Sequence, residues 1–85
     1  MSVRGYSMPD EINFLCLLHN VGATSSERSL TVDEISRWTL MESEKVRENL
    51  EKLIRNEYVT TIFIGGAERY HVTINGIRKV LSMYS

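Results

Sequence analysis

The stretch from Thr31 to Val59 constrains the fold more than any other part of the chain. It begins with Thr-Val-Asp-Glu, the spacing of a capping box, in which the Thr31 hydroxyl bonds forward and Glu34 reaches back. A short helix, a turn over residues 39–41 and a longer helix over about residues 43–56 follow with almost no spacer. This order predicts a helix-turn-helix.

Each helix of this unit has one apolar side. In the longer helix, apolar residues at helical spacing form a stripe that we expect to face a core: Val46, Leu50, Leu53 and Ile54. In the shorter helix, Ile35 and Trp38 are expected to point inward, with Met41 as the apolar plug of the turn. Leu40 stands where such turns commonly have a glycine, because the turn favours a positive φ. Leucine therefore departs from the usual turn chemistry.

A further helix is expected before this unit. It should begin after Ser7, with Pro9 and Asp10 in its first turn, and run to about Val21, where Gly22 can end it. Apolar residues cover more than one stripe of this helix, so it has two sides to bury. One side is expected to face the domain core, and the other is available to a second copy of the chain.

Residues 58–73 change to an extended pattern on both sides of Gly65-Gly66, which predicts a β-hairpin. Its register stays open, because the loop length decides which side chains share a face. A two- or four-residue loop groups Val59, Thr61 and Phe63 with Tyr70 and Val72, and a three-residue loop reverses this. A last helix is expected after the capping residue Thr73, with one apolar stripe: Ile74, Ile77, Val80, Leu81 and Tyr84.

Length and composition limit the classes of function that the chain can have. The 85 residues should form one domain of modest stability. No apolar run approaches the roughly 18 residues of a membrane span, and the N-terminus has no signal core, so a cytoplasmic protein is expected. The sequence has no phosphate loop and no catalytic carboxylate pair, so we predict neither an enzyme nor a cofactor. The net charge of −1 argues against binding nucleic acid through bulk charge, although a local basic patch is compatible with it.

The single cysteine, Cys16, lies in an apolar run, and a buried thiol is the simplest interpretation. Cys16 and His19 are three residues apart on the first predicted helix, and His71 could in principle join them as a metal ligand. This set is incomplete, so no metal site is predicted. A metal- or redox-responsive regulator that acts through Cys16 stays a weaker hypothesis.

Two segments resemble a known family. SEKVRENLEKLIRNEYV, from Ser43, is similar to a recognition helix that runs into the first strand of a wing, and YHVTINGIRKVL, from Tyr70, is similar to the second strand and final helix of MarR-like and PadR-like regulators. The resemblance is to the winged helix-turn-helix family of DNA-binding regulators, in a small single-domain form. It implies a mainly helical α+β fold over residues 1–85, with an N-terminal arm (1–8), a helix-turn-helix (31–56), a wing (58–73) and a C-terminal helix (74–84).

The resemblance also implies a binding surface for double-stranded DNA, with the recognition helix in the major groove and the wing on phosphates or in the minor groove. Carried onto this chain, the candidates that face bases are Ser43, Glu44, Lys45, Arg47 and Glu48, with Arg47 foremost because a guanidinium can bond guanine in a bidentate manner. The candidates for phosphate or minor-groove contact are Arg37, Lys45, Lys52, Arg55 and Arg69.

Charge in the recognition segment also has a structural explanation. Lys45, Lys52 and Arg55 each lie three or four residues from a glutamate, which favours local ion pairs. Acidic residues outnumber basic ones between Glu42 and Glu57, and a net acidic face repels phosphates.

Two functions are therefore predicted. The first is sequence-specific binding of duplex DNA by a small transcriptional regulator, as a homodimer through the first and last helices. The alternative is a winged helix that serves as a protein-protein interaction module in a larger assembly, its acidic helix docking a basic partner.

Overall fold

The computed structural model describes residues 9–83. The arm at residues 1–8, including the predicted cap Ser7, and Tyr84 lie outside the described residues. These residues form four α-helices, one 3-10 turn and two strands, in this order: α1 (Asp10–Asn20), the turn Ser26–Arg28, α2 (Val32–Thr39), α3 (Ser43–Arg55), β1 (Val59–Ile64), β2 (Ala67–Val72) and α4 (Ile74–Ser82). The mainly helical α+β architecture is the predicted one. None of the helices in this part of the chain is long and apolar enough to cross a membrane.

Local hydrogen bonds fix the helix ends. The predicted capping box of α2 is confirmed: the Glu34 amide donates to the Thr31 hydroxyl over 3.1 Å, and the Thr31 amide donates to the Glu34 carboxylate over 2.9 Å. The cap of α4 is confirmed as well, since the Gly76 amide donates to Oγ1 of Thr73. Pro9 is the N-cap of α1, and Gly22 follows the helix with a φ of 87°. The ends of these helices are thus encoded close to where they occur.

The turn between α2 and α3 has the positive φ that helix-turn-helix units commonly use, although it lacks the glycine. Leu40 caps α2 in the left-handed region, with φ 59° and ψ 29°. The Ser36 hydroxyl donates to the Met41 carbonyl and closes the turn. The Leu40 side chain is 92% exposed and so gains almost nothing from packing. A leucine in this conformation strains the backbone in a way that glycine would not.

The hairpin has the two-residue loop, which settles the register. Val59 pairs with Val72, Thr61 with Tyr70 and Phe63 with Glu68. These residues therefore share one face, as the two-residue alternative predicts. Both loop residues have positive φ, 59° at Gly65 and 81° at Gly66, the signature of a type I′ turn.

A third extended segment, which no pattern in the sequence predicted, joins the hairpin. Leu30 and Tyr70 exchange two backbone hydrogen bonds of 2.9 and 2.8 Å in an antiparallel bridge. The Val72 amide donates to the Ala23 carbonyl over 2.7 Å. The polar loop between α1 and α2 is thus tied to the outer edge of β2, and this tie fixes the wing relative to α2.

The core lies where α1, α3, the base of the hairpin and α4 meet. Its buried members come from every helix and both strands: Phe14, Leu15, Leu18, Ile35, Val46, Leu50, Leu53, Val59, Tyr70, Val72 and Val80. Met41 is partly buried against it, as expected for the plug of the turn, whereas Cys16 is only partly buried and not fully buried as its apolar surroundings in the sequence suggest. Gly76 is also buried and lies against the Tyr58 carbonyl, so α4 packs closely on the connection between α3 and β1.

Four apolar residues that were expected inside lie at the surface. Trp38 is 66% exposed, because the inner face of α2 runs through Val32, Ile35, Ser36 and Thr39 instead. The Ser36 and Thr39 hydroxyls donate to main-chain carbonyls, which lets these polar residues face inward. The other three lie beside rather than within the buried stripes of α3 and α4: Ile54, Ile74 and Leu81.

Candidate nucleic-acid interface

One side of α3 packs on the core and the other is open to solvent. Val46, Asn49, Leu50 and Leu53 are buried, which leaves the remaining positions free to present charge. Ser43 is partly exposed at the first position of the helix. The other predicted contact residues of α3 are all exposed: Glu44, Lys45, Arg47, Glu48, Lys52 and Arg55. The helix thus gathers these side chains on one surface, as the amphipathic pattern predicts.

Ion pairing on this surface is slight. Nζ of Lys45 lies 3.5 Å from Oε1 of Glu48, and both side chains are well exposed, so the pair contributes at most about 1 kcal/mol. Within residues 9–83, no ion pair engages Arg47, Lys52 or Arg55. The predicted local pairs of Lys52 with Glu48 and of Arg55 with Glu51 are therefore not formed. These three cations are available to an external anion.

Charged residues of both α3 and β2 act on the phenol of Tyr70. Burial, together with the nearby Glu68 carboxylate, raises the pKa of the Tyr70 phenol above its ordinary value of 10.0, and the Arg47 guanidinium acts in the opposite direction. Glu51 adds to the rise. Tyr70 is thus within electrostatic reach of α3 and of the outer part of β2. Arg47 is the cationic member of this group, and acidic groups lie near it.

Arg69, a predicted candidate for phosphate or minor-groove contact, forms hydrogen bonds within the protein. It is the third residue of β2, and its guanidinium reaches back to the start of α2. Nη2 donates to the Ser29 carbonyl over 2.6 Å and to Oε1 of Glu34 over 3.3 Å, while Nε donates to the Ser29 hydroxyl over 3.2 Å. The side chain is 27% exposed. The structure thus gives Arg69 a bracing role between the wing and the capping box, in place of a free cation.

The wing tip is apolar and has no basic residue. Phe63 is 69% exposed, Ile64 is half exposed, and Glu68 is the nearest charged residue to the loop. The turn contributes only Gly65 and Gly66. The tip of this hairpin presents no cation to phosphates.

Arg37 and Trp38 lie together on the exposed side of α2. With Glu34 and Leu40 they line an open depression of about 450 Å³ beside the turn. Arg37 lies on the helix that precedes α3, as predicted. An exposed tryptophan and an exposed leucine beside it form an apolar patch, although Trp38 was expected in the core.

The described residues offer no metal centre: no group of three or more His, Cys, Asp or Glu side chains between residues 9 and 83 is arranged to hold an ion. Cys16 and His19 lie on α1, whereas His71 lies on β2, where its ring contacts the Val72 carbonyl. Nδ1 of His19 is buried without a hydrogen-bond partner.

No family model matches the sequence, and no curated protein matches it. Solved structures do. The DNA-binding TubR fragment from Clostridium botulinum superimposes with a TM-score of 0.76 at 22% identity, over 93% of this chain and 99% of that one. A MarR family protein from Bacillus stearothermophilus has a TM-score of 0.72 at 19% identity, over 92% of this chain and 51% of that one. The fold is a winged helix-turn-helix.

A structure of MepR from S. aureus in complex with DNA is a further match, with a TM-score of 0.74 at 16% identity, over 92% of this chain and 55% of that one. The chain therefore spans about half the length of the MarR and MepR chains and nearly all of the TubR fragment. In the terms of this fold, α2 and α3 form the helix-turn-helix, α3 has the position of a recognition helix, and β1 and β2 form the wing.

Proposed function

We propose that this winged helix binds double-stranded DNA as a small transcriptional regulator, with α3 in the major groove. The observation that carries the proposal is the exposed face of α3, where Arg47, Lys52 and Arg55 are free of ion pairs among the described residues. The similarity to a DNA-binding TubR fragment and to a MepR-DNA complex supports the same proposal. The proposal includes a cytoplasmic location and no catalytic activity.

The roles of single residues follow from their positions. Arg47 is exposed in the second turn of α3, where recognition helices meet base edges, and a guanidinium there can bond guanine. Its neighbours Ser43, Glu44, Lys45 and Glu48 are proposed to share this edge of the helix. Lys52 and Arg55 lie nearer the C-terminus of α3 and Arg37 lies on α2, so we assign all three to phosphates.

Acidic side chains on α3 make the proposed binding selective. Glu44, Glu48 and Glu51 are exposed on the same helix and repel phosphates wherever they find no partner. A glutamate in the major groove can accept a hydrogen bond from the amino group of cytosine. Sites that offer such donors are therefore favoured over arbitrary sequence.

Salt dependence tests the proposal. A dimer that places Arg37, Lys52 and Arg55 of both copies on phosphates neutralises about six charges, so affinity for duplex DNA should fall roughly 1,000-fold between about 50 and 200 mM salt. Arg47→Ala should weaken binding to a selected sequence by about 10-fold or more and reduce discrimination at the bases it contacts. Fluorescence anisotropy with labelled duplexes measures both.

Arg28→Ala is the matched control, because it removes the same charge from an exposed position in the loop before α2. It should leave affinity within about two-fold. Failure of the chain to bind any duplex in a random-sequence pool at about 50 mM salt would exclude DNA binding.

The proposal includes a homodimer through α1 and α4. These helices pack against each other. Apolar side chains are exposed on both helices and at the C-cap of α1: Leu17, Val21, Ile74 and Leu81. An exposed apolar surface of this kind favours self-association. Two-fold symmetry would place two recognition helices about 34 Å apart and predict a palindromic site.

Sedimentation equilibrium at tens of micromolar should therefore give the mass of two chains. Leu81→Lys should yield monomers, while Lys52→Ala, on the exposed face of α3, should remain dimeric. A monomeric wild-type chain at this concentration would contradict the symmetric arrangement without excluding DNA binding.

A protein-protein interaction module is the second candidate, and one observation favours it. Trp38 and Leu40 form an exposed apolar patch, and Leu40 holds a strained backbone conformation without packing on the rest of the chain. Such a patch fits a protein partner better than a phosphate backbone. If the chain binds no duplex, emission from Trp38, the single tryptophan, should shift to the blue when such a partner covers it.

A further inference from the structure

The two edges of the wing differ in their backbone pairing. On the outer edge of β2, Tyr70 bonds Leu30 through both its amide and its carbonyl. The Val72 amide, two residues later, donates to the Ala23 carbonyl. Within residues 9–83, no backbone segment outside the hairpin pairs with the outer edge of β1. The wing is therefore a small sheet with one paired edge and one open edge.

The register of the hairpin shows which backbone groups lie on the open edge. Tyr70 directs both backbone groups away from β1, so its partner Thr61 directs its own groups away from β2. Phe63 has the same orientation, because backbone groups alternate in direction along a strand. The amides and carbonyls of Thr61 and Phe63 thus project from the edge, without a hydrogen-bond partner in the described part of the chain. Two donors and two acceptors are available to another strand.

The open edge lacks the features that usually prevent further pairing. Exposed edges of soluble proteins commonly carry a lysine, a proline or a bulge. The strand VTTIFI has no charged residue and no proline, and its six residues pair with β2 without a bulge. Its last two residues, Phe63 and Ile64, are apolar and exposed. An edge of this composition favours the addition of another strand.

We propose that the open edge of β1 pairs with the same edge of a second copy of the chain. The pairing is antiparallel about a two-fold axis and joins the two hairpins into one four-stranded sheet. Opposed residues must share a face, and those that exchange hydrogen bonds must both project groups from the edge. Thr61 opposite Phe63 of the second copy meets both conditions, and the axis repeats this pair. Each pair exchanges two hydrogen bonds, so the two pairs supply four.

This register suits a second copy in its side chains as well. It places Ile62 opposite Ile62 of the second copy at the two-fold axis, and Ile64 opposite Thr60. On the other face of the sheet, Thr61 covers part of the exposed Phe63 ring. Because β1 carries no charge, two copies meet without like charges across the junction. A charged strand of another protein would find no counter-charge on this edge.

The contact is small, so it should be weak. One pair of short strands buries far less than the roughly 1,200 Å² of stable complexes, and we expect a Kd of about 0.5 mM. Pairing requires neither DNA binding nor the proposed α1–α4 contact, because it uses the edge of β1 alone. Where the α1–α4 homodimer forms, wing pairing joins homodimers into larger assemblies.

Sedimentation equilibrium of the full chain tests the proposal. The weight-average mass should rise about 1.5-fold between about 20 µM and 1 mM, whether the chain at the lower concentration is a monomer or a dimer. Nitrogen-edited NMR over the same range should show the amide protons of Thr61 and Phe63 moving downfield, because they gain acceptors. The Tyr70 amide already donates to Leu30 and should not move.

Substitution of Ile62 tests the register. Ile62→Lys should abolish the rise in mass, because it places two like charges opposite each other at the axis. Ala67→Lys adds the same charge at the exposed start of β2, away from the open edge, and should associate as the wild type does. An equal mixture of Ile62→Lys and Ile62→Glu should associate again, since opposite charges then face each other. Misfolding of either variant cannot produce this rescue.

Several outcomes would overturn the proposal. One is a constant mass up to 1 mM, and another is association that leaves the Thr61 and Phe63 amides unshifted, which would place the contact on a different surface. Undiminished association of Ile62→Lys, or a mixture of the two charged variants that stays apart, would equally contradict it. None of these measurements contains DNA, so their failure is distinct from a failure of the proposed DNA binding.

Discussion

Gly76→Ala should destabilise the chain by about 3 kcal/mol and lower Tm by at least about 12 °C. A β-carbon at this position would meet the Tyr58 carbonyl oxygen well inside contact distance and would lie 2.6 Å from Cγ1 of Val72. The oxygen belongs to the backbone and also accepts the Thr73 amide over 2.9 Å, so it cannot rotate away without breaking the link between α4 and the start of β1. Thermal unfolding by circular dichroism measures the change.

Helix propensity alone predicts the opposite result, because alanine is favoured over glycine inside a helix by about 1 kcal/mol. Asn75→Ala is the matched control: it lies one residue earlier in α4, is exposed, and should alter stability by no more than about 0.5 kcal/mol. If Gly76→Ala raises Tm, α4 does not approach Tyr58 as closely as the structure has it.

Local chemistry allowed much of this fold to be predicted from sequence. The capping box at Thr31 and Glu34, the cap at Thr73 and the loop at Gly65-Gly66 each depend on residues within four positions of one another. Such contacts form in the same way in any chain that contains them. The loop glycines left one ambiguity, because sequence did not decide how many residues formed the turn, and pairing across the hairpin resolved it.

The features that were predicted wrongly or not at all have a different cause, because each depends on contacts between distant parts of the chain. Trp38 was expected in the core because it is hydrophobic. However, α2 has only two turns, and its inner side carries Ser36 and Thr39 instead. The bridge between Leu30 and Tyr70 joins residues 40 positions apart, and no local pattern in the sequence predicts it. A short helix gives periodicity too few turns to choose between adjacent stripes.

The same distinction between local and distant contacts applies to the candidate site. Periodicity correctly placed the charged residues of α3 on its exposed side, since a helix of 13 residues has enough turns to define a face. It did not decide which charges pair with one another: of the local ion pairs that spacing allowed, Lys45 with Glu48 is formed. Nor was Asn49 predicted to be buried, although its spacing from Val46, Leu50 and Leu53 places it on the inner side of α3.

Arg69→Ala should lower the free energy of unfolding by about 2 kcal/mol and Tm by about 8–16 °C. The guanidinium bonds the carbonyl of Ser29, a residue that is almost fully buried, and the Glu34 carboxylate of the α2 capping box. Removing it leaves that carbonyl with one fewer donor in a place that water scarcely reaches. Arg69→Lys should recover only part of the loss, because one ammonium cannot reproduce the planar fork that reaches three acceptors.

The same variant decides between two roles for this arginine. As a brace, Arg69 is occupied within the protein, so Arg69→Ala measured well below its Tm should keep the slope of log affinity against log salt. Lys52→Ala, which removes a cation free of ion pairs in the described structure, should reduce that slope by about one unit for each copy bound. A reduced slope and an unchanged Tm for Arg69→Ala would instead place its guanidinium on DNA, as the sequence resemblance first implied.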